Sequence, residues 1–371
     1  MNFINFGFSF LKKSLIIVLI TFFFSLIIDF FFGRLILKGL DSYLVKTEFY
    51  GRLMRIDHPV FHHSFLPNVN YKKNSGFDGK FTLCTNRHSF RSNCKEDIKK
   101  NIDIAFMGDS FVEGHSVNYE DSFVGIFDDK TNFSVANLGV SSYSPKIYFT
   151  KLNYLISQNY YFKHIIFFSD ISDLYDDDVR YKLNDDNSIG EKDLKGEGLK
   201  RRKILRTYFP LTNYYMYVIK KNRQIKRKKP TLKSETPNLE SINFKAEWTY
   251  YEEENHPAYL NNIKTAQNEM IKTMEKTFNL LKQNNIKMSL AVYPWPQQLQ
   301  FDKVNSKHVK MWKKFCENKC ENFINFFPVF FKEKEKSSFL EVYKKYYFWN
   351  DVHFNKTGNQ LIANKLLDIF N

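Results

Sequence analysis

The hydrophobic pattern of this chain changes character near residue 100. Before that point, residues 14–32 read SLIIVLITFFFSLIIDFFF, apolar on every face apart from Ser14, Thr21, Ser25 and Asp29. A run of about 20 such residues is the length that crosses a hydrocarbon core. A buried soluble helix is the alternative, but such a helix keeps a polar stripe toward water and this one has none. Beyond residue 100, short apolar runs at 102–107, 134–138, 164–168 and 287–293 predict strands. They alternate with helical periodicity over 121–128, 145–158 and 259–283. A helix after nearly every strand predicts an α/β fold, a parallel sheet covered on both faces.

Three regions follow. Residues 1–35 form a membrane anchor spanning about 14–32, 36–100 a membrane-proximal extension, and 101–371 the α/β domain. No small-residue cleavage site follows the span, and Phe30, Phe31 and Phe32 occupy its place, so the anchor is expected to be retained. Its short leading tail fits a cytosolic N-terminus with the domain exported, and Asp29 is expected to reach interfacial water. The extension has turn signals at Pro67-Asn68 and Asn74-Ser75-Gly76. Its polar clusters at 62–68 and 85–91 read as packing of that extension. Residues 176–254 are too long for an ordinary connection and read as a charged insertion, partly helical over 208–229.

Composition narrows the function classes. With 43% hydrophobic and 18% aromatic residues over 371 positions, the chain can bury a full core, which excludes a disordered protein. The formal charge of +15 is concentrated in residues 200–203 and 220–229. No zinc-finger, helix-turn-helix or RNA-binding signature accompanies these runs. A solvated or membrane-facing surface is therefore favoured over nucleic acid. The acidic clusters Asp176-Asp177-Asp178 and Asp185-Asp186 lack a cation-ligand spacing and read as solvated loop residues. Neither Cys84 and Cys94 nor Cys316 and Cys320 has C-x-x-C spacing, so no zinc site is expected. Bridged pairs in an oxidising compartment and free thiols both stay open. No cofactor is implied.

Candidate chemistry begins at Gly108-Asp109-Ser110, at the carboxyl end of the 102–107 strand, where open parallel sheets gather functional groups. Far downstream stands Asp351-Val352-His353. A serine after a strand, answered by an acid and a histidine, outlines a hydrolytic triad. The Tyr293-Pro294-Trp295-Pro296 segment closes another strand. There Trp295 reads either as a sugar-stacking wall or as rigid loop packing.

In the block MGDSFVEGHSV around Ser110, and in D-x-H followed by F-N-x-x-G-x-x-x-I-A, the chain resembles the SGNH, or GDSL-type, hydrolase family. The D-x-H spacing is similar to that of the alginate acetyltransferase branch. The resemblance spans about residues 102–370 and implies a flavodoxin-like three-layer α/β/α sandwich and an acyl-serine mechanism. It implies Ser110 as nucleophile, His353 as base, Asp351 as its orienting acid, and no metal. The second block resembles residues 137–143, with Ser142 in place of the family glycine as a backbone oxyanion donor beside the Ser110 N–H. The third resembles Asp170-Ile171-Ser172-Asp173, with Ser172 where an asparagine donor is usual and Asp173 as a substrate contact. Loss of one oxyanion donor costs roughly 3 kcal/mol of transition-state stabilisation.

The reading that follows is a serine esterase or deacylase acting on O-acyl esters, with carbohydrate among the expected substrates. It would be held by one helix in the inner membrane, with its domain on the periplasmic side. An O-acyltransferase served by a membrane acyl-donor partner, and a non-catalytic glycan-binding scaffold, are the alternatives.

Overall fold

A computed structural model describes residues 2–44, 55–94, 99–192, 204, 208–216, 219, 237, 239, 244–251 and 255–370. They fall in two compact units, one made of Met1–Thr47 with Asp193–Glu235, the other of Glu48–Lys192 with Thr236–Asn371.

The larger unit is built on a five-stranded parallel sheet in the order β11-β10-β7-β5-β6. Its strands are β5 (Asn101–Met107), β6 (Val135–Asn137), β7 (Tyr161–Ser169), β10 (Lys287–Val292) and β11 (Phe323–Asn325). From β5 the chain moves to β6 on one side, then crosses back over β5 to β7. Right-handed crossovers require the intervening helices, Phe123–Lys130 and Pro145–Ser157, to take opposite faces. Each finds a partner: Phe123–Lys130 packs with Lys356–Phe370, and Pro145–Ser157 with Ile263–Gln283. The central strands are accordingly apolar on both sides, and Ile165, Ile166, Phe167 and Phe168 are each 0% exposed. The predicted α/β architecture holds, with boundaries shifted by a few residues. The edge strand β11 has no counterpart among the expected strands.

Most of the membrane-proximal extension is part of the α/β unit. From Glu48 onward it belongs to the same unit as the sheet. It contributes two antiparallel hairpins, β1 (Arg55–His58) with β2 (His62–Phe65) and β3 (Asn70–Gly76) with β4 (Gly79–Cys84). Two disulfides, Cys84–Cys94 and Cys316–Cys320, pair all four cysteines of the chain.

The expected insertion begins later than the sequence reading placed it. Asp176, Asp177 and Asp178 are not solvated; they are 1–3% exposed. Asp177 accepts from the Ser144 hydroxyl and the Lys146 N–H at the start of helix Pro145–Ser157. Asp178 accepts from the N–H groups of Leu260 and Asn261, and Asp176 pairs with Arg180 and Lys245. Each carboxylate thus has polar partners, as burying charge requires, although Asp177 Oδ2 is left without one. A short antiparallel pair, β8 (Tyr181–Leu183) with β9 (Ile189–Glu191), follows them.

In the smaller unit, one helix runs from Asn2 to Leu44, and its Lys13–Gly33 portion is long and apolar enough to cross a membrane, with mean hydropathy 2.8. Asp29 does not reach interfacial water: it is 2% exposed and accepts from the N–H groups of Leu211 and Thr212. The basic runs at 200–203 and 220–229 lie outside the described residues.

Candidate active site

The site forms where β5 ends. Gly108 turns the chain because a side chain there has no room: a Cβ would sit 2.4 Å from Val112 Cγ2 and 3.1 Å from the Phe168 carbonyl oxygen. Asp109 then caps the Ser110–Glu113 turn through Oδ1, which accepts from the Phe111 N–H at 3.0 Å. The Ser110 N–H falls in the first turn, where no intrahelical carbonyl can reach it.

The partner loop, residues 347–355, is fixed from several sides. Tyr343 donates its hydroxyl to the Phe348 and Asp351 carbonyls and accepts from the Asp351 N–H. The Phe348 N–H donates to the His353 carbonyl at 3.0 Å. Asn359 accepts from the Phe123 N–H and donates to the Phe354 carbonyl, tying this loop to the helix beside β5. These bonds set the imidazole of His353 between the two groups named from the sequence. Its Nδ1–H donates to Asp351 Oδ1, and its Nε2 lies 2.7 Å from Ser110 Oγ. Because a carboxylate only accepts, Nδ1 carries the proton and Nε2 is left to accept from the serine. Ser110 Oγ also lies 3.1 Å from Asp109 Oδ2.

The charges around the dyad are graded. Burial lowers the His353 pKa, but Asp351, with Asp109 and Asp170 behind it, holds it above the ordinary 6.5. Burial pushes Asp351 up, and His353 more than offsets this, leaving it below the usual carboxylate range. His115, with its ring centroid 4.7 Å from that of His353, is pushed down by burial despite Glu113. Asp109 is pushed up to about 8 by burial and by Asp170.

The second block is held by residues that sequence reading left aside. Glu113, 2% exposed, accepts from the Ser141 N–H at 2.6 Å, from the Ser141 hydroxyl at 2.8 Å, and from Arg55 at 2.7 and 2.9 Å. Burial alone would raise its pKa, but Arg55, His115 and the Ser141 N–H hold it well below the ordinary carboxyl value. His63 Nε2 lies 2.9 Å from the Ser141 carbonyl oxygen, and Tyr181 donates to that of Ser142. Ser142 itself has φ +67°, a conformation that favours glycine. The acid in Phe111-Val112-Glu113-Gly114 is visible in sequence, but its partner Arg55 is 58 positions away. Phe77 was equally hidden: the β3–β4 turn sets its 46% exposed ring 6.5 Å from His353 and 5.1 Å from Phe348.

Of the two readings of the tryptophan, burial favours rigid packing, and the third block includes a buried acid. Trp295 offers no stacking wall: it is 4% exposed, and its indole N–H donates to Asp170 at 2.7 Å. Asp173 is not a substrate contact, since it is 0% exposed and accepts from Tyr148, Ser169 and the Asp170 N–H. Burial and the neighbouring Asp170 and Asp109 push its pKa up. Ser172, 4% exposed, lies just past the carboxyl end of β7, and its N–H donates to Asp170 at 2.7 Å. Among the described residues, no group of three or more His, Cys, Asp or Glu side chains is arranged to hold a metal.

The surface beside the dyad is lined by Ser110, Phe111, Gly114, His115, His353, Phe354 and Asn359. Chemically, the arrangement can transfer a proton from a serine to an imidazole and stabilise the imidazolium with a carboxylate.

No family model matches the sequence, and no curated protein matches it. Several solved structures resemble the chain. A lipolytic protein of the G-D-S-L family from Veillonella parvula shares 14% identity over 72% of this chain and 97% of its own, with TM-score 0.38. The psychrotrophic esterase EstA from Pseudoalteromonas sp. shares 11% identity over 73% of this chain and 96% of its own, with TM-score 0.34. A catalytic mutant of the acetylxylan esterase Axe2 from Geobacillus stearothermophilus shares 12% identity over 72% of this chain and 93% of its own, with TM-score 0.35.

Proposed function

We propose that this chain is a membrane-anchored SGNH-type serine esterase or deacylase that removes O-acyl groups in the bacterial cell envelope, with acylated glycans as its substrate class. The observation that carries the reading is the His353 ring, bonded to Asp351 on one side and 2.7 Å from Ser110 Oγ on the other. In the reaction, Ser110 Oγ attacks the ester carbonyl while His353 Nε2 takes its proton. The alcohol leaves with that proton, and water attacks the acyl-serine by the reverse route. The N–H groups of Ser110 and Ser142, with the hydroxyl of Ser172, are the oxyanion donors of this reading.

Paired disulfides suit an oxidising compartment. The apolar helix supplies the anchor, with the domain on the periplasmic side. The test uses the full chain in detergent: a fluorophosphonate probe labels the serine, and short-chain nitrophenyl esters are hydrolysed. The D-x-H spacing favours a second reading, an O-acyltransferase working with a membrane acyl donor. Acceleration of acyl-enzyme breakdown by an added sugar acceptor, with acyl transfer to it, supports that version. Absence of both labelling and turnover overturns both.

The pH profile gives a second check. The base must be neutral, and its pKa is raised, so kcat/KM is expected to climb with pH through a limb lying above 6.5. A limb below 6.5 contradicts the Asp351–His353 coupling.

A further inference from the structure

We infer that the insertion is a second membrane-contacting element. The helical residues 210–216 lie in the outer interface of an anionic bilayer, fastened there by Asp29 of the anchor helix. This rests on the membrane reading of residues 13–33 given above.

An aspartate inside an apolar span is costly unless it has partners. Asp29 finds them in the N–H groups of Leu211 and Thr212, at 2.8 and 2.7 Å. These are second- and third-position donors of a helix that begins with Pro210, a residue with no N–H to satisfy. Asp29 therefore performs the work of an N-cap side chain from another segment. The contact is close because position 33 is glycine: a Cβ there would stand 3.0 Å from Pro210 Cγ and 2.2 Å from Asp29 Oδ1. Phe30 stacks on Tyr208, with centroids 5.9 Å apart and planes 12° from parallel.

Depth follows from this contact. Asp29 precedes Gly33, where the apolar span ends, by four residues, so it lies about 6 Å inside that end at 1.5 Å per residue. The first turn of the 210–216 helix shares that level. Tyr208 (50% exposed), Tyr215 (69%), Met216 (56%) and Ile219 (46%) present apolar and amphipathic surface there. Tyrosine with such neighbours is what a membrane interface accommodates. In sequence, the stretch is flanked by the basic runs 200–203 and 220–229, whose charge selects anionic headgroups.

The test is a nitroxide on Tyr215→Cys in the full chain. Because the native cysteines are paired, only the new thiol is labelled. In nanodiscs of phosphatidylcholine and phosphatidylglycerol, oxygen should relax the label several-fold more than a water-soluble nickel chelate. Asp29→Leu should reverse that preference. A label on Phe23→Cys tests the anchor separately, and one on Lys313→Cys gives the aqueous reference. If position 23 is immersed while 215 is accessible to the chelate, the insertion is not at the membrane and the inference falls alone. If position 23 is also aqueous, the membrane reading falls with it. If 215 is shielded from both reagents, a protein surface covers it and the lipid assignment is wrong.

Discussion

Ser110→Ala is expected to abolish fluorophosphonate labelling and to lower ester turnover by roughly 10⁴-fold or more, as removal of a triad nucleophile does elsewhere. The substitution deletes one oxygen from a half-buried position, and Asp109 still caps Phe111, so the fold should survive it. An unchanged melting temperature would separate loss of chemistry from loss of structure. Labelling that persists in the variant would place the nucleophile elsewhere and undo the role given to His353, whose Nε2 faces that hydroxyl. Neither labelling nor turnover in the wild type would leave a scaffold that has kept the dyad without using it.

Glu113→Ala is expected to have the next largest effect, and on two observables. It removes the acceptor of the Ser141 N–H and hydroxyl and leaves Arg55 without its carboxylate. The loop bearing Ser142 loses its anchor, so kcat should fall by roughly 10²-fold, the scale of one lost oxyanion donor. Breaking a pair whose acid is buried should also cost roughly 3 kcal/mol of stability. The sign with pH follows from the depressed Glu113 pKa. Its contribution is present above the unfolded carboxyl value, about 4.3, and is lost as pH falls below it. Denaturant titrations from pH 6 to pH 3 should show the wild type losing more stability than Glu113→Ala. Parallel curves would mean that Glu113 does not hold the loop by charge. Normal kcat in a destabilised variant would mean that the loop finds its place without Glu113.

What was legible in sequence was local. Gly108-Asp109-Ser110 and Asp351-Val352-His353 each sit in one tight segment, so spacing alone carries their geometry, and the strand rhythm fixed where the first would lie. What stayed hidden depends on groups far apart in the chain. Glu113 becomes a loop anchor through Arg55 on β1, and Phe77 reaches His353 from the turn of a hairpin in the membrane-proximal extension. Trp295 was legible as a residue at a strand end, yet its fate was decided by Asp170, 125 positions earlier. Asp176–Asp178 misled for the same reason, because a charge run reads as solvated until its distant donors are known.

The discontinuous makeup of the smaller unit bears on how the protein can be produced. Removing residues 1–47 for expression in water would strip Leu211 and Thr212 of their acceptor and, on the inference above, leave Tyr215, Met216 and Ile219 without their lipid phase. Such a truncated protein should aggregate. A tractable soluble version replaces 193–235 with a short linker as well, keeping Glu48–Lys192 joined to Thr236–Asn371.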